Sequence, residues 1–263
     1  MISPSDKAAF FYVGETRREE PVLELDWNML SDPEAMRRFL DTYRDIIGAP
    51  TPDVAATYFA SLLGSLCAGF HYSLVLERTE LRFGEGADVL QLFGGGAPLP
   101  MLAAVSDRSR RPIPENEDSN AERDRLERFY GETIRPILES ASRESGERVR
   151  NLWLLLVSRL VALEDRLVGM ADPEPANRLK SHFTLLREEV PPGVFGLKNN
   201  PFAFEFRMVE DPEHPGRSYR QRAACCLAYK IGEYGYCLTC PRVAPKMGEA
   251  AYSPNPKSAS GSA

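Results

Sequence analysis

Histidine is scarce in this chain: His71, His182 and His214 are the only three in 263 residues, and none stands at a short fixed spacing from a cysteine. That leaves no paired-histidine metal knuckle, and no Ser, His and acid constellation on which to base a hydrolase. A secretory leader is also missing, because the first twenty residues hold only the run AAFFYV before the charged TRREE. Unbroken apolar stretches such as Leu152 to Val157 fall far short of the ~20 residues that cross a bilayer. Positive charge is not in excess either: the formal net charge is -6, which offers no electrostatic footprint for nucleic acid. The glycines at 94, 95 and 96 are followed by no Lys-Ser/Thr pair, and Gly84 and Gly86 lack the third glycine of a dinucleotide fingerprint. These absences point to a cytoplasmic protein with no membrane span, no nucleic-acid partner and no bound nucleotide, flavin or nicotinamide.

What is present is an ordinary globular composition, 43% hydrophobic and 27% charged, in a chain long enough to bury a sizeable core as one or two domains. Residues 22–25 read as a strand with Trp27 as a core anchor. Ser31 with Glu34 forms a capping box for a helix whose apolar face is Met36, Phe39, Leu40, Tyr43 and Ile47, closed by Gly48. Thr51 and Pro52 open a second helix, with Val54, Tyr58, Leu62, Leu66 and Phe70 as its stripe. Cys67 in that stripe reads as a small buried apolar residue, and His71 as an ordinary helical one.

Between Tyr72 and Phe93 the β-rich pieces YSLVLE, TELRF and DVLQLF predict a small antiparallel sheet. A polar connection follows over 106–118. Ser119 with Glu122 makes another capping box, Pro136 kinks the helix behind it or starts a new segment, and the most apolar helix runs from about Glu147 to Met170 through Trp153, which places it at the centre of a helical layer. Asp172 and Pro173 start a shorter helix that carries His182. After the Asn199, Asn200, Pro201 turn, FAFEFRMV predicts a strand with Phe202, Phe204, Phe206 and Met208 on one face.

Four of the five cysteines fall within RSYRQRAACCLAYKIGEYGYCLTCPRVAPK, residues 217–246, in the pattern C-C-x10-C-x2-C: Cys225, Cys226, Cys237 and Cys240. Four thiolates are soft anionic donors suited to zinc or to an iron-sulfur cluster. In a C-x2-C turn both sulfurs reach one metal. Neighbouring residues of a strand face opposite ways, so the adjacent pair converges on the same centre only if a turn or a helical start intervenes. Spacing alone leaves three readings open: a 2Fe-2S cluster, a structural zinc and disulfides. Arg217, Arg220, Arg222, Lys230, Arg242 and Lys246 against Glu233 give this stretch a local charge of +5 in a chain of -6, which suits an anionic partner.

The cysteine pattern resembles the signature of the FhuF-type siderophore-iron reductases. Flanking positions match as well, with Arg222 before the pair and Tyr229 and Lys230 after it. Relatives often carry Ser or Thr where this chain has Ala224, so a hydroxyl beside the sulfurs is missing here. The resemblance implies a 2Fe-2S cluster held by Cys225, Cys226, Cys237 and Cys240. It also implies an electron donor such as a ferredoxin or a reductase, and a bound ferric siderophore that is reduced to release Fe(II) in the cytoplasm. Arg217, Arg220, Arg222 and Lys230 are the candidate contacts for substrate or donor. The competing readings are a zinc-stapled binding module with no enzymatic activity and an electron carrier with no siderophore substrate.

The expected fold class is α+β: a mainly helical body, a small antiparallel sheet and a C-terminal cysteine-rich cluster-binding segment. Its parts are an N-terminal helical part with the sheet over 1–105, a helical bundle part over 119–198, the cysteine segment over 199–246 and a disordered tail over 247–263.

Overall fold

The computed structural model describes residues 4–94, 100–114, 119–211, 214, 216, 218–232, 235–237 and 239–243. Seven α-helices and eight short strands are described: α1 (Pro4–Phe11), β1 (Val13–Gly14), β2 (Leu23–Asp26), α2 (Pro33–Ile47), α3 (Pro52–Leu76), β3 (Thr79–Leu81), β4 (Val89–Leu92), β5 (Met101–Ala104), β6 (Arg110–Pro112), α4 (Ser119–Arg128), α5 (Arg135–Ser145), α6 (Val149–Met170), α7 (Pro173–Glu188), β7 (Met208–Glu210) and β8 (Ser218–Arg220). The class is α+β, as the sequence predicts, with 58% of the chain helical. The main sheet has the order β1-β5-β4-β2. Its β5-β4 and β4-β2 pairs are antiparallel, and β1 joins β5 in parallel. Strands β3 and β6 form a separate antiparallel ribbon, as do β7 and β8.

Local chemistry explains the helix ends. The cap of α2 is Asp32 rather than Ser31: its carboxylate accepts the Ala35 N–H at 2.9 Å. Ser31 is consumed by the 3-10 turn Trp27–Ser31, which shifts the start by one residue. Gly48 at φ +64 ends α2 in the left-handed conformation that glycine adopts without steric cost. Helix α3 does begin behind Thr51 with Pro52 at its first position, but it runs on to Leu76. The segment YSLVLE, expected as a strand, is therefore helical. Nearly all of α3 is buried, and a helix buried on every side carries the same dense apolar and β-branched run as a core strand. By length and composition α3 would also cross a bilayer, yet 83% of its most apolar window is buried inside this fold.

Helices α3 and α6 pack on each other more extensively than any other pair. Gly64 permits the approach: a Cβ there would meet the Leu156 carbonyl oxygen at 2.4 Å and the Arg159 Cβ at 2.9 Å. Trp153 on α6 is fully buried, which puts this helix at the centre as expected. One hydrophobic core takes in residues from Phe11 to Cys226, so the N-terminal, helical and cysteine-bearing parts share it.

At Pro136 a new segment does start: α5 begins at Arg135, after the chain widens into a π-helical stretch, Phe129–Ile134. Pro136 donates no N–H and its ring crowds the carbonyl one turn back, and a wider turn relieves both. The expected strand FAFEFRMV is regular only at β7. Asn200 accepts the Phe202 N–H at 2.8 Å and holds residues 201–203 in a 3-10 turn. Phe202 is buried while Met208 is 55% exposed, so the row does not share one face.

His71 and His182 are more than ordinary helical residues. Both are buried, and His71 Nδ1 lies 2.6 Å from His182 Nε2. Burial first, then His182 and Arg187 beside it, hold the His71 pKa well below 6.5. The unfolded chain therefore binds a proton at this residue where the folded chain does not, and stability falls as pH drops below about 6.5. The expected loss approaches about 1.4 kcal/mol per pH unit from this residue alone. Urea unfolding at pH 7.5 and 5.5 should show it, and a His71→Gln chain, which has no proton to gain, should show a shallower dependence. An equally steep dependence in that variant would assign the acid sensitivity to another group.

Candidate metal centre

The cysteine segment is seated on the central helix pair through polar side chains that interrupt otherwise apolar faces. On α3 the Thr57 hydroxyl lies 2.8 Å from the Cys226 carbonyl, sharing its proton with the Val54 carbonyl at 2.7 Å. On α6 the Ser158 oxygen accepts the Ala223 N–H at 3.0 Å. Leu227 and Ile231 pack with Ala49 and Val54 in a small apolar cluster that fixes the far side of the loop. Thr57 and Ser158 had only one signal in the sequence, a hydroxyl on a buried helix face.

The adjacent cysteines do sit at a turn and a helical start. Leu227 takes φ +58, rare for a branched residue, and Ala228–Lys230 form a 3-10 turn behind it. This reversal points the Leu227 N–H at Cys225 Sγ, 3.5 Å away, and brings the Ala228 N–H to Cys226. The second pair is a tight turn in which the Cys240 N–H donates to the Cys237 carbonyl at 2.9 Å. It is tied back to the strand before the first pair: the Arg222 N–H donates to Thr239 O at 2.9 Å, and the Gln221 amide donates to Cys240 O at 3.1 Å.

All four thiols are free, Cys226 and Cys240 buried and Cys225 and Cys237 half-buried. Cys237 hydrogen-bonds to Cys226, while Cys225 and Cys240 act on each other through space, as do Cys237 and Cys240. At Cys226 the hydrogen bond from Cys237, then the Arg222 guanidinium and the Ala228 N–H, lower the pKa to about 5 against the cost of burial. Cys237 keeps its proton for the complementary reason, because its hydrogen bond to Cys226 and its burial both raise its pKa. Burial, reinforced by the charges of Cys240 and Cys226, raises Cys225 to about 11.

The chemistry of this donor set suits a soft thiophilic metal, since all four candidate ligands are free cysteines, with the Thr239 hydroxyl 3.9 Å from Cys237 Sγ. Its spacing is looser: among the described residues no three His, Cys, Asp or Glu side chains stand close enough to form a metal-holding group. Protonated thiols hold one another through S–H bonds, and those protons must leave before four sulfurs can bind one centre.

Few of the basic residues face the sulfurs. Arg222 does, acting on Cys226 and Cys237. Arg220 is paired with Asp165 and lies over the Phe206 ring, 5.6 Å from its centroid. Lys230 reaches Asp53 at 2.8 Å. Arg217 and Lys246 lie outside the described residues, as does the tail over 247–263. Arg242, counted from sequence only for its charge, acts on Cys225, donates to the Tyr229 hydroxyl at 2.9 Å and lies over that ring. Tyr229 in turn packs against Tyr236, ring centroids 4.9 Å apart, so two aromatic rings and a guanidinium stand beside the cysteines. His214 is exposed, and its ring bonds to the buried Asp211 carboxylate, away from the cysteines.

Fold and site together define an α+β protein that carries a four-cysteine loop on a buried helix pair. No family model, no curated protein and no solved structure matches the chain. The likeness to the FhuF-type reductases rests on the cysteine spacing and its flanking residues.

Proposed function

We propose that this protein is a ferric-siderophore reductase, with Cys225, Cys226, Cys237 and Cys240 as the ligands of a 2Fe-2S cluster. The observation that carries the reading is the turn at Leu227. It supports the reading because it breaks the strand-like alternation that would aim adjacent cysteines to opposite sides, and it turns the Leu227 N–H towards Cys225 Sγ. When bound, such a cluster supplies one-electron chemistry. One electron converts hard Fe(III) in the oxygen cage of a siderophore to Fe(II), which that cage holds more weakly.

The protein's own residues have distinct tasks in this reading. Thr57 and Ser158 fix the loop to α3 and α6. The N–H groups of Leu227 and Ala228 point at sulfur and stabilise thiolate charge. Arg222 and Arg242 offset negative charge at the sulfurs and present cations to an anionic ferric complex or an acidic electron donor. Arg220 and Lys230, already engaged by Asp165 and Asp53, support the fold around the site.

The test is a visible and EPR spectrum of anaerobically purified protein before and after dithionite, with iron, sulfide and zinc quantified on the same sample. About two irons and two sulfides per chain, and a rhombic signal only after reduction, are expected. The reduced protein should then be reoxidised by a ferric siderophore. A colourless protein with one tightly held zinc would overturn the reductase and leave a zinc-stapled binding module. A cluster that no ferric siderophore reoxidises would leave an electron carrier.

A further inference from the structure

A second polar assembly lies elsewhere in the helical body and involves none of the four clustered cysteines. Glu122 of α4, His182 of α7, His71 of α3 and Tyr130 of the π-helical stretch form one unbranched file. The Glu122 carboxylate meets His182 Nδ1, His182 Nε2 lies 2.6 Å from His71 Nδ1, and His71 Nε2 lies 2.6 Å from the Tyr130 hydroxyl. At the inner end the Cys67 thiol hydrogen-bonds with that hydroxyl. His71, Tyr130 and Cys67 are fully buried, whereas the Glu122 side chain is 36% exposed. The file therefore runs from solvent to the core, walled by Phe183 and Phe70 with ring centroids 4.8 and 5.4 Å from that of His71.

Hydrogen accounting allows this file two internally consistent states. With Glu122 ionised and both imidazoles neutral, each link has its single proton only if every donor points outward: Tyr130 O–H to His71 Nε2, His71 Nδ1–H to His182 Nε2, His182 Nδ1–H to Glu122. With one more proton, His182 carries hydrogen on both nitrogens and donates from Nε2 to His71 Nδ1. His71 must then hold its hydrogen on Nε2 and donate to the Tyr130 oxygen, and the phenol O–H turns to Cys67. The two states differ by one proton: the hydrogen between the rings passes from His71 Nδ1 to His182 Nε2, the phenol hydrogen passes to His71 Nε2, and the proton gained from solvent ends on the Tyr130 oxygen, whose O–H then faces Cys67.

We propose that Glu122, His182, His71 and Tyr130 form a proton-linked relay of hydrogen bonds, in which a net gain of one proton, its charge held on His182 beside Glu122, reverses the hydrogen bonds beyond that pair and makes the buried Tyr130 hydroxyl an acceptor from His71. The charged groups around the file set the balance. Arg125 and Arg78 act on Glu122 and oppose proton uptake, as does Arg187, which acts on His71 from α7 and is paired with Glu164 of α6. Glu122 and Glu164 favour it, and Glu164 also acts on Tyr130. Burial keeps the phenol protonated and His71 uncharged throughout, so the additional charge rests on His182, against the carboxylate.

The test is nitrogen NMR of the intact chain with 15N-labelled histidine, followed from pH 8.5 down to acid unfolding. The expected result is that His182 gains a second N–H while His71 stays neutral, and that over the same pH interval the proton of His71 moves from Nδ1 to Nε2. In a Glu122→Gln chain both changes are expected to move together to lower pH, because the anion that favours the imidazolium is gone. A His182 that keeps one proton until the chain unfolds would overturn the relay. So would a His182 that titrates while the His71 tautomer stays fixed, since a static structural network predicts that behaviour. If the variant does not fold, the wild-type titration alone decides.

Discussion

A Gly64→Val chain is expected to fail to fold stably at room temperature, and Gly64→Ala to lose about 3 kcal/mol, the upper end of the usual range for overpacking. A Cβ at position 64 would stand 2.4 Å from the Leu156 carbonyl oxygen, against 3.4 Å or more for an ordinary contact. That oxygen belongs to the backbone of α6 and cannot swing aside as a flexible side chain would. The helices must therefore part by about 1 Å, and interior packing falls off steeply over such a gap. The separation would also move Thr57 away from Ser158, the two side chains that hold the cysteine loop, so loss of the site should accompany loss of stability. Gly169→Ala is the control: nothing lies within 4 Å of its added methyl, and it should stabilise α6 by about 0.5–1 kcal/mol. Urea midpoints of the three variants check the prediction. An unchanged midpoint for Gly64→Ala would show that the helix contact is not tight.

The second large effect is expected at the cysteines. For the proposed cluster, Cys226→Ala should reduce bound iron from about two atoms per chain to near zero, because it removes one of the four proposed ligands, the thiol whose pKa is lowered most. Cys237→Ala should do the same and also raise the Cys226 pKa, since the thiol proton that lowers it is gone. Cys67→Ala should keep its iron. Cys67 is as buried as Cys226, but it stands in α3 against Tyr130 and burial pushes its pKa up, away from thiolate formation. Metal analysis and circular dichroism on the same samples separate loss of metal from loss of fold. Iron retained by both Cys226→Ala and Cys237→Ala would remove these thiols from the ligand set.

Much of the fold was legible where one face of a helix is buried and the other is wet. Met36, Phe39, Leu40 and Tyr43 of α2 are buried, at the spacing that marks them in the sequence. Pro52 marks the start of α3, and the apolar density of α6 marks it as the central helix. Periodicity lost its meaning where burial was complete. Residues 72–76 read as a strand because burial on every side leaves no polar face to give the period away. Met101–Ala104 gave no alternation for the same reason, and it became a central strand only by pairing with β4 and β1.

At the candidate site, the cysteine spacing named four candidate ligands and required a turn at the adjacent pair, which Leu227 and Ala228–Lys230 supply. Their neighbours were another matter. Arg220 and Lys230 carry the same charge as Arg222 and lie as near in sequence, yet Asp165 and Asp53 engage them, and only the folded chain brings those carboxylates close. His71 and His182 are 111 residues apart and meet because α3 and α7 pack together, with the wider turn before Pro136 turning Tyr130 inward to complete the file. The sequence by itself determined the helical body, its central helix and the four candidate ligand cysteines, because these depend on local spacing and residue chemistry. The tertiary structure decided which cations stand near the cysteines and which histidines meet, because each depends on a distance of a few ångströms between segments remote in the chain.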